Sequence, residues 1–338
     1  MKGIFTKEWL RAHLNDLIAY SGLIFCILLF SILSPIIKGI NILDPSGMAF
    51  KSIIQDGVMY SILACGAVFV YALGAMDISV GAQISLYSMI FIHIYNVNGS
   101  SPTSIILAAA LVIVISIVCG GVNSIIAEIL EMRPIITSLI LQFLIYGIAS
   151  VLFNYWNPDS SSMAFHIGTA SKTYFNIFRD PWVQIGILIA VVLVFSYMFN
   201  FTRLGKYTKA MGANITCAKQ SGINVVKYRL FAYLTFGIAI VIASLLFVAN
   251  TGTTTFNAAK GYEMIIMISL IIGGMPLSGG MKSKISSAVV GGFTYALISR
   301  SFVYLGVPDK FTNLFVALIY IVVVLATCRS KEEKVLPR

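Results

Sequence analysis

The chain has 338 residues, 58% of them hydrophobic and 11% charged, with a formal net charge of +10. Its mean hydropathy of +0.92 exceeds what a soluble domain, about half apolar and about a quarter charged, can bury, so the surplus must face lipid. The basic residues fall mostly in short loops between apolar runs, where they orient a chain against a membrane, and no nucleic-acid partner is expected. The five cysteines are odd in number, widely spaced and free of any CxxC or Cys/His cluster, which argues against a disulfide framework or a zinc site.

A hydrocarbon core about 30 Å thick needs about 20 helical residues to cross it, and lipid offers no partner to an open backbone amide. The apolar runs therefore predict an all-α integral membrane protein of about ten transmembrane helices, over 17–37, 52–74, 78–95, 104–126, 134–153, 182–200, 228–250, 263–278, 285–304 and 312–328. The first run follows Lys2, Lys7 and Arg11, as in a signal peptide. It is too long for a signal h-region and lacks a small-x-small cleavage site before Pro35, so a retained first helix is expected. No large soluble domain interrupts the pattern, and residues 1–338 read as a single transmembrane domain.

Charge then orients the chain. With the N-terminus inside and ten crossings, the inside segments hold 16 of the 23 basic residues and the outside segments six, with Arg300 inside a span. The bias satisfies the positive-inside rule and predicts that both termini are cytoplasmic.

The segment 201–229, FTRLGKYTKAMGANITCAKQSGINVVKYR, carries six basic residues and no acidic one. Residues 206–220 can form a short helix, with Ser221-Gly222 as its stop. Such a helix on the cytoplasmic surface suits docking against a soluble partner. An ordinary positive-inside loop lying on anionic lipid would show the same charge.

Two further stretches echo each other: Gly74-Ala75-Met76-Asp77-Ile78-Ser79-Val80-Gly81 and Gly273-Gly274-Met275-Pro276-Leu277-Ser278-Gly279-Gly280. Aligned without gaps they share G-small-M-x-aliphatic-S-x-G at a separation of 199 residues. Six crossings lie between them, so the copies share an orientation, as in a two-fold parallel internal repeat. Glycine and proline at membrane depth loosen a helix, which is tolerated where the chain packs on protein or lines a wet cavity. Asp77 needs a partner or water at that depth; it can also cap the following span.

The 201–229 segment, with Thr202-Arg203, Gly205-Lys206-Tyr207, Ala210, Gly212, Asn214, Ala218, Ser221 and Gly222, closely resembles the coupling segment of ribose-type (simple-sugar) ABC permeases. The two glycine-serine stretches resemble that family's G-G-I-D-L-S-V-G and G-G-T-S-L-S-G-G. Pro134 to Thr137 and Gly261 to Glu263 also match, so the resemblance runs from about residue 50 to 325. It implies that Arg203, Gly205, Ala210, Gly212, Asn214, Ala218, Ser221 and Gly222 couple to an ATPase. Asp77, Ser79, Gly81, Thr137, Ser278, Gly279 and Gly280 would flank or gate a pathway. The implied partners are an ABC ATPase subunit that binds ATP and Mg, an extracellular or periplasmic sugar-binding protein, a second permease copy (homodimer or sister permease) and lipid, in the bacterial cytoplasmic membrane. Ala75, Met275-Pro276, Leu139 to Gln142 and Arg300 depart from the family pattern and leave the cargo open among ribose-like sugars, nucleosides, autoinducer-2 and polyols.

No G-x-x-x-x-G-K-[ST] and no H-E-x-x-H occur, so the chain has no Walker A loop or metalloprotease site of its own; it is read as a transport subunit without cofactor or metal, not an enzyme. The alternative is an ion-coupled secondary transporter using Asp77 and Arg300, which would work without an ATPase.

Overall fold

The computed structural model describes residues 7–39, 41–98, 101–129, 132, 134–157, 164–167, 172–276, 279–308, 311, 314, 317, 318 and 321. The long helices are α1 (Lys7–Lys38), α2 (Met48–Ala72), α3 (Val80–Val97), α4 (Pro102–Ile129), α5 (Pro134–Trp156), α7 (Pro181–Phe201), α10 (Val225–Thr251) and α12 (Ile285–Tyr304). Shorter helices are α6 (Lys172–Arg179), α8 (Arg203–Ala213), α9 (Ile215–Gln220) and α11 (Tyr262–Ile272). The strands β1 (Phe165–His166) and β2 (Thr253–Thr254) form one antiparallel pair that ties the 157–172 connection to the end of α10.

Helix ends follow local chemistry. Pro102, Pro134 and Pro181 occupy first-turn positions, where the missing N–H costs nothing, and the Asp180 carboxylate accepts from Trp182 N. Asn224 caps α10 by accepting from Lys227 N, and Gly252, at φ 68°, ends it.

Among the described residues, seven helices are long and apolar enough to cross a membrane: the Tyr20–Lys38 part of α1, then α2, α3, α4, α5, α7 and α10. α12 has the bounds expected of the ninth span and carries Arg300. The eighth, expected over 263–278, ends instead at Ile272. Its 11 residues span roughly 16 Å, about half a bilayer core, because the Gly273-Gly274 pair closes the helix early. The tenth, 312–328, lies mostly outside the described residues.

The helix α2 is the axis of the bundle. Every residue from Asp56 to Ala72 is buried, and α12, α10, α7 and α11 pack around it. α3 is buried from Val80 to Ile92. By contrast α1, α4, α5 and α7 turn apolar faces outward, with Ile32, Ile106, Phe143 and Leu193 more than half exposed, as lipid-facing helices do. Small residues bring backbones close where the helices cross: a Cβ on Gly66 would fall 2.4 Å from Ala239 Cβ, and one on Gly291 would fall 1.7 Å from the Ser269 carbonyl oxygen. Without a hydrophobic force between helices in lipid, such contacts supply the packing.

Candidate functional site

The basic segment folds as two short helices, not the single one expected over 206–220. The chain turns so tightly out of α7 that a Cβ on Gly205 would sit 1.9 Å from the Phe199 carbonyl oxygen. α8 then buries Leu204, Gly205, Thr208 and Met211, which recur at helical spacing, while Arg203 and Lys206 stay exposed. Asn214 breaks the helix in an extended conformation (φ −161°, ψ 108°), and its side chain accepts from Thr216 N and Cys217 N to start α9. Gly222, at φ 78°, makes the predicted stop. Met211, Ala218 and Val225 pack with Leu73, Ile223 and Tyr228, and Tyr207 meets Tyr228 edge-on at 4.7 Å. The Lys209 ammonium lies 4.2 Å above the Phe199 ring, and burial lowers its pKa.

The eight residues expected to couple thus divide. Arg203, Asn214, Ser221 and Gly222 are exposed; Gly205 and Ala218 are buried; Ala210 and Gly212 are half-buried. The close approach expected of small residues toward a partner is, at Gly212, an approach to the chain's own α2: a Cβ there would lie 1.8 Å from the Ala72 carbonyl oxygen and 2.9 Å from Gly280 N.

That contact joins both glycine stretches. α2 ends with Gly74 at φ 74°, its N–H bonding Tyr71 O at 2.9 Å and Ala75 N bonding Val70 O at 3.3 Å. α11 ends with Gly274 at φ 86°, its N–H bonding Ile271 O at 2.9 Å and Met275 N bonding Leu270 O at 2.9 Å. Both are Schellman caps, which require a left-handed residue that glycine adopts freely. The equivalent glycines are therefore 74 and 274, one residue off the gapless alignment. Beyond the second cap, Gly280 N donates to Ala72 O at 2.9 Å, and a Cβ on Gly279 would lie 2.3 Å from Tyr71 O. Ser278 lies outside the described residues.

Asp77, 4% exposed, sits in a closed polar network. Its Oδ1 accepts from Ser79 N (2.8 Å) and Ser79 Oγ (2.6 Å), and its Oδ2 accepts from Asn123 Nδ2 (3.2 Å). Thr137 Oγ1 donates to Asn123 Oδ1 at 2.7 Å, and Ser138 Oγ accepts from Ile78 N at 3.1 Å. On the other side Gln83 Nε2 donates to Ser79 Oγ (2.8 Å) and Tyr87 OH to Gln83 Oε1 (3.0 Å). A buried carboxylate supplied with three donors is stable in place, so this turn is pinned to α4 and α5. Gly81 faces elsewhere, toward the carbonyl oxygen of Ala259.

Asp56 was not singled out by sequence, though an acidic residue inside an expected span is itself a signal. It accepts a hydrogen bond from Arg300 Nε across α2 and α12, so the two charges neutralise each other. Tyr60 packs edge-on against Tyr262 and Tyr295 beside this pair. Asn123 and Gln83 were missed for the same reason, as polar side chains within apolar runs. Among the described residues no group of three or more His, Cys, Asp or Glu is placed to hold a metal.

A bundle of apolar helices with broken helix ends converging on a basic surface segment is that of a multi-pass membrane protein. The family described as branched-chain amino acid transport system / permease component matches residues 49–327, and the chain belongs to that family. It is 28% identical over 323 residues to the ribose import permease protein of Escherichia coli (strain K12), covering 95% of each chain. It is also 28% identical over 284 residues to the fructose import permease protein of Bifidobacterium longum (strain NCC 2705), covering 81% of each. Over 281 residues it is 28% identical to the galactose/methyl galactoside import permease protein of Salmonella typhimurium, covering 78% of this chain and 82% of the relative. No solved structure matches the chain significantly.

Proposed function

We propose that this chain is the membrane-spanning subunit of an ATP-driven importer in the bacterial inner membrane, passing a simple sugar of the ribose class. An external binding protein delivers the sugar, a separate ATPase supplies the energy with its own ATP and Mg, and a second permease copy completes the pathway. The chain crosses ten times with both ends inside, as two parallel repeats, a reading that rests on the two echoing glycine-serine stretches. The cargo in the family's description differs from those of the relatives, so membership indicates the machine, and the sugar reading rests on three sugar permeases aligned over most of the chain.

The observation that carries the mechanism is the meeting of α8 with both glycine turns at Gly212, Ala72 and Gly280. An ATPase that pushes on the exposed residues of α8–α9 moves, through that one contact, the end of α2 and the segment that follows α11. Ser79, Thr137 and Asp77 hold the first turn rigid against α4 and α5, while Gly279 and Gly280 bring the chain beyond the second turn against the backbone of α2. The second reading, ion coupling at Asp77 and Arg300, loses ground because Asp77 is satisfied by neutral donors and Arg300 by Asp56.

Cys217 offers a test of the docking surface, since it is exposed whereas Cys65 and Cys119 are buried. In a variant keeping only Cys217, a maleimide–benzophenone reagent in inside-out vesicles should cross-link the chain to its ATPase. Labelling without any cross-link to the ATPase would remove α8–α9 as the docking element.

A further inference from the structure

A second polar group lies apart from the Asp77 network, where α5 and α11 both pack on α3. Its floor is Gly81. A Cβ there would lie 2.5 Å from the Ala259 carbonyl oxygen, 2.6 Å from Glu263 Oε2 and 3.3 Å from the Tyr146 hydroxyl. A carboxylate oxygen and a phenol oxygen from different helices thus converge on one point. Ser85 Oγ fixes the backbone beside it, accepting from Ala259 N at 3.0 Å and donating to Gly81 O at 2.9 Å.

Glu263 stands in the first turn of α11, where the helix dipole favours an anion. Gln142 Nε2 reaches its Oε1 at 3.5 Å. Its Oε2 is buried with no hydrogen-bond partner, and the Tyr146 hydroxyl is buried beside it, within reach of Gln142 alone. Buried polar atoms are nearly always paired, so a carboxylate oxygen left open inside the bundle calls for a partner.

We propose that Glu263, Tyr146 and Gln142 form a station for a neutral, hydroxyl-rich solute in transit, a reading that rests on the permease function above. Glu263 Oε2 accepts from one solute hydroxyl, the Tyr146 hydroxyl exchanges a hydrogen bond with a second, and the Gln142 amide orients the carboxylate. None of the three carries a positive charge, so the group offers no counter-ion for the carboxylate of an amino acid.

The test is uptake by the complete importer, with labelled D-ribose, D-galactose, D-fructose and L-leucine as probes and the amount of permease in the membrane measured alongside. External capture sets the half-saturation concentration, whereas passage sets the maximal rate. Glu263→Gln is expected to cut the maximal rate per permease about tenfold, the loss of a hydrogen bond to a charged group, with half-saturation unchanged. Tyr146→Phe, which keeps the ring and removes only the hydroxyl, should cut it by a smaller factor in the same way. Wild-type rates in both variants would overturn the station. Carriage of L-leucine alone would overturn it while leaving the permease function standing; carriage of none of the four would overturn both.

Discussion

Replacing Gly212 with alanine probes the contact through which the cytoplasmic segment meets the membrane helices. The added Cβ would lie 1.8 Å from the Ala72 carbonyl oxygen and 2.9 Å from Gly280 N, where nonbonded heavy atoms need about 3.5 Å. Either α8 withdraws by roughly 1.5 Å or the Gly280 N–H to Ala72 O bond breaks. Forced overpacking costs about 1–3 kcal/mol, and a stranded buried backbone donor costs about 1–3 kcal/mol more. Against a typical stability of about 5–15 kcal/mol the protein should still fold, with α8 displaced from both glycine turns. Gly121→Ala on α4, where a Cβ would meet nothing within 4 Å, is the matched control and should be neutral or slightly stabilising. ATP-driven uptake and thermal unfolding in detergent would be measured together. Gly212→Ala should lower the unfolding temperature and uncouple uptake from ATP hydrolysis. Unchanged uptake and an unchanged unfolding temperature would show that α8 does not bear on α2 as described.

Other variants test the remaining elements. Asp77→Ala removes the acceptor for Ser79 and Asn123 and should cost about 1–3 kcal/mol in thermal unfolding; a silent variant would mean the network is not formed. Arg300→Met leaves Asp56 uncompensated, so it should lower the unfolding temperature more than the double variant Asp56→Leu/Arg300→Met does, and the reverse order would deny the pairing. Asn214→Ala removes both hydrogen bonds that start α9, a loss of about 0.5–2 kcal/mol. Because α9 has six residues, it should fray, and maleimide should react faster with Cys217; an unchanged rate would count against the cap.

The first seven spans were legible because hydropathy is a local signal. The α12 bounds agreed with the expectation, since polar residues through Lys284 and the Leu305-Gly306 turn bracket an apolar run. α11 was overdrawn, because hydropathy continues through Met275 while the chain turns at Gly274. The 201–229 segment stood out by its charge and small residues, yet the break at Asn214 depends on one side chain capping the next helix. The partner of Gly212 was not readable at all: Ala72 lies in a distant helix, and the pattern of small residues says only that something comes close. Asp56 and Arg300, 244 residues apart, were each visible as a charge in an apolar run, but only the fold brings them together. Glu263 was visible within a matched tripeptide, without any hint that its carboxylate meets Tyr146 over Gly81.

Reconstitution decides the central claim most directly. The purified chain would be placed in liposomes alone, under a proton or sodium gradient, and then together with its ATPase and binding protein under ATP, with uptake of labelled D-ribose, D-galactose and D-fructose followed in both. Accumulation of at least one of these sugars only when ATPase, binding protein and ATP are all present is the predicted result. Gradient-driven accumulation by the chain alone would contradict it.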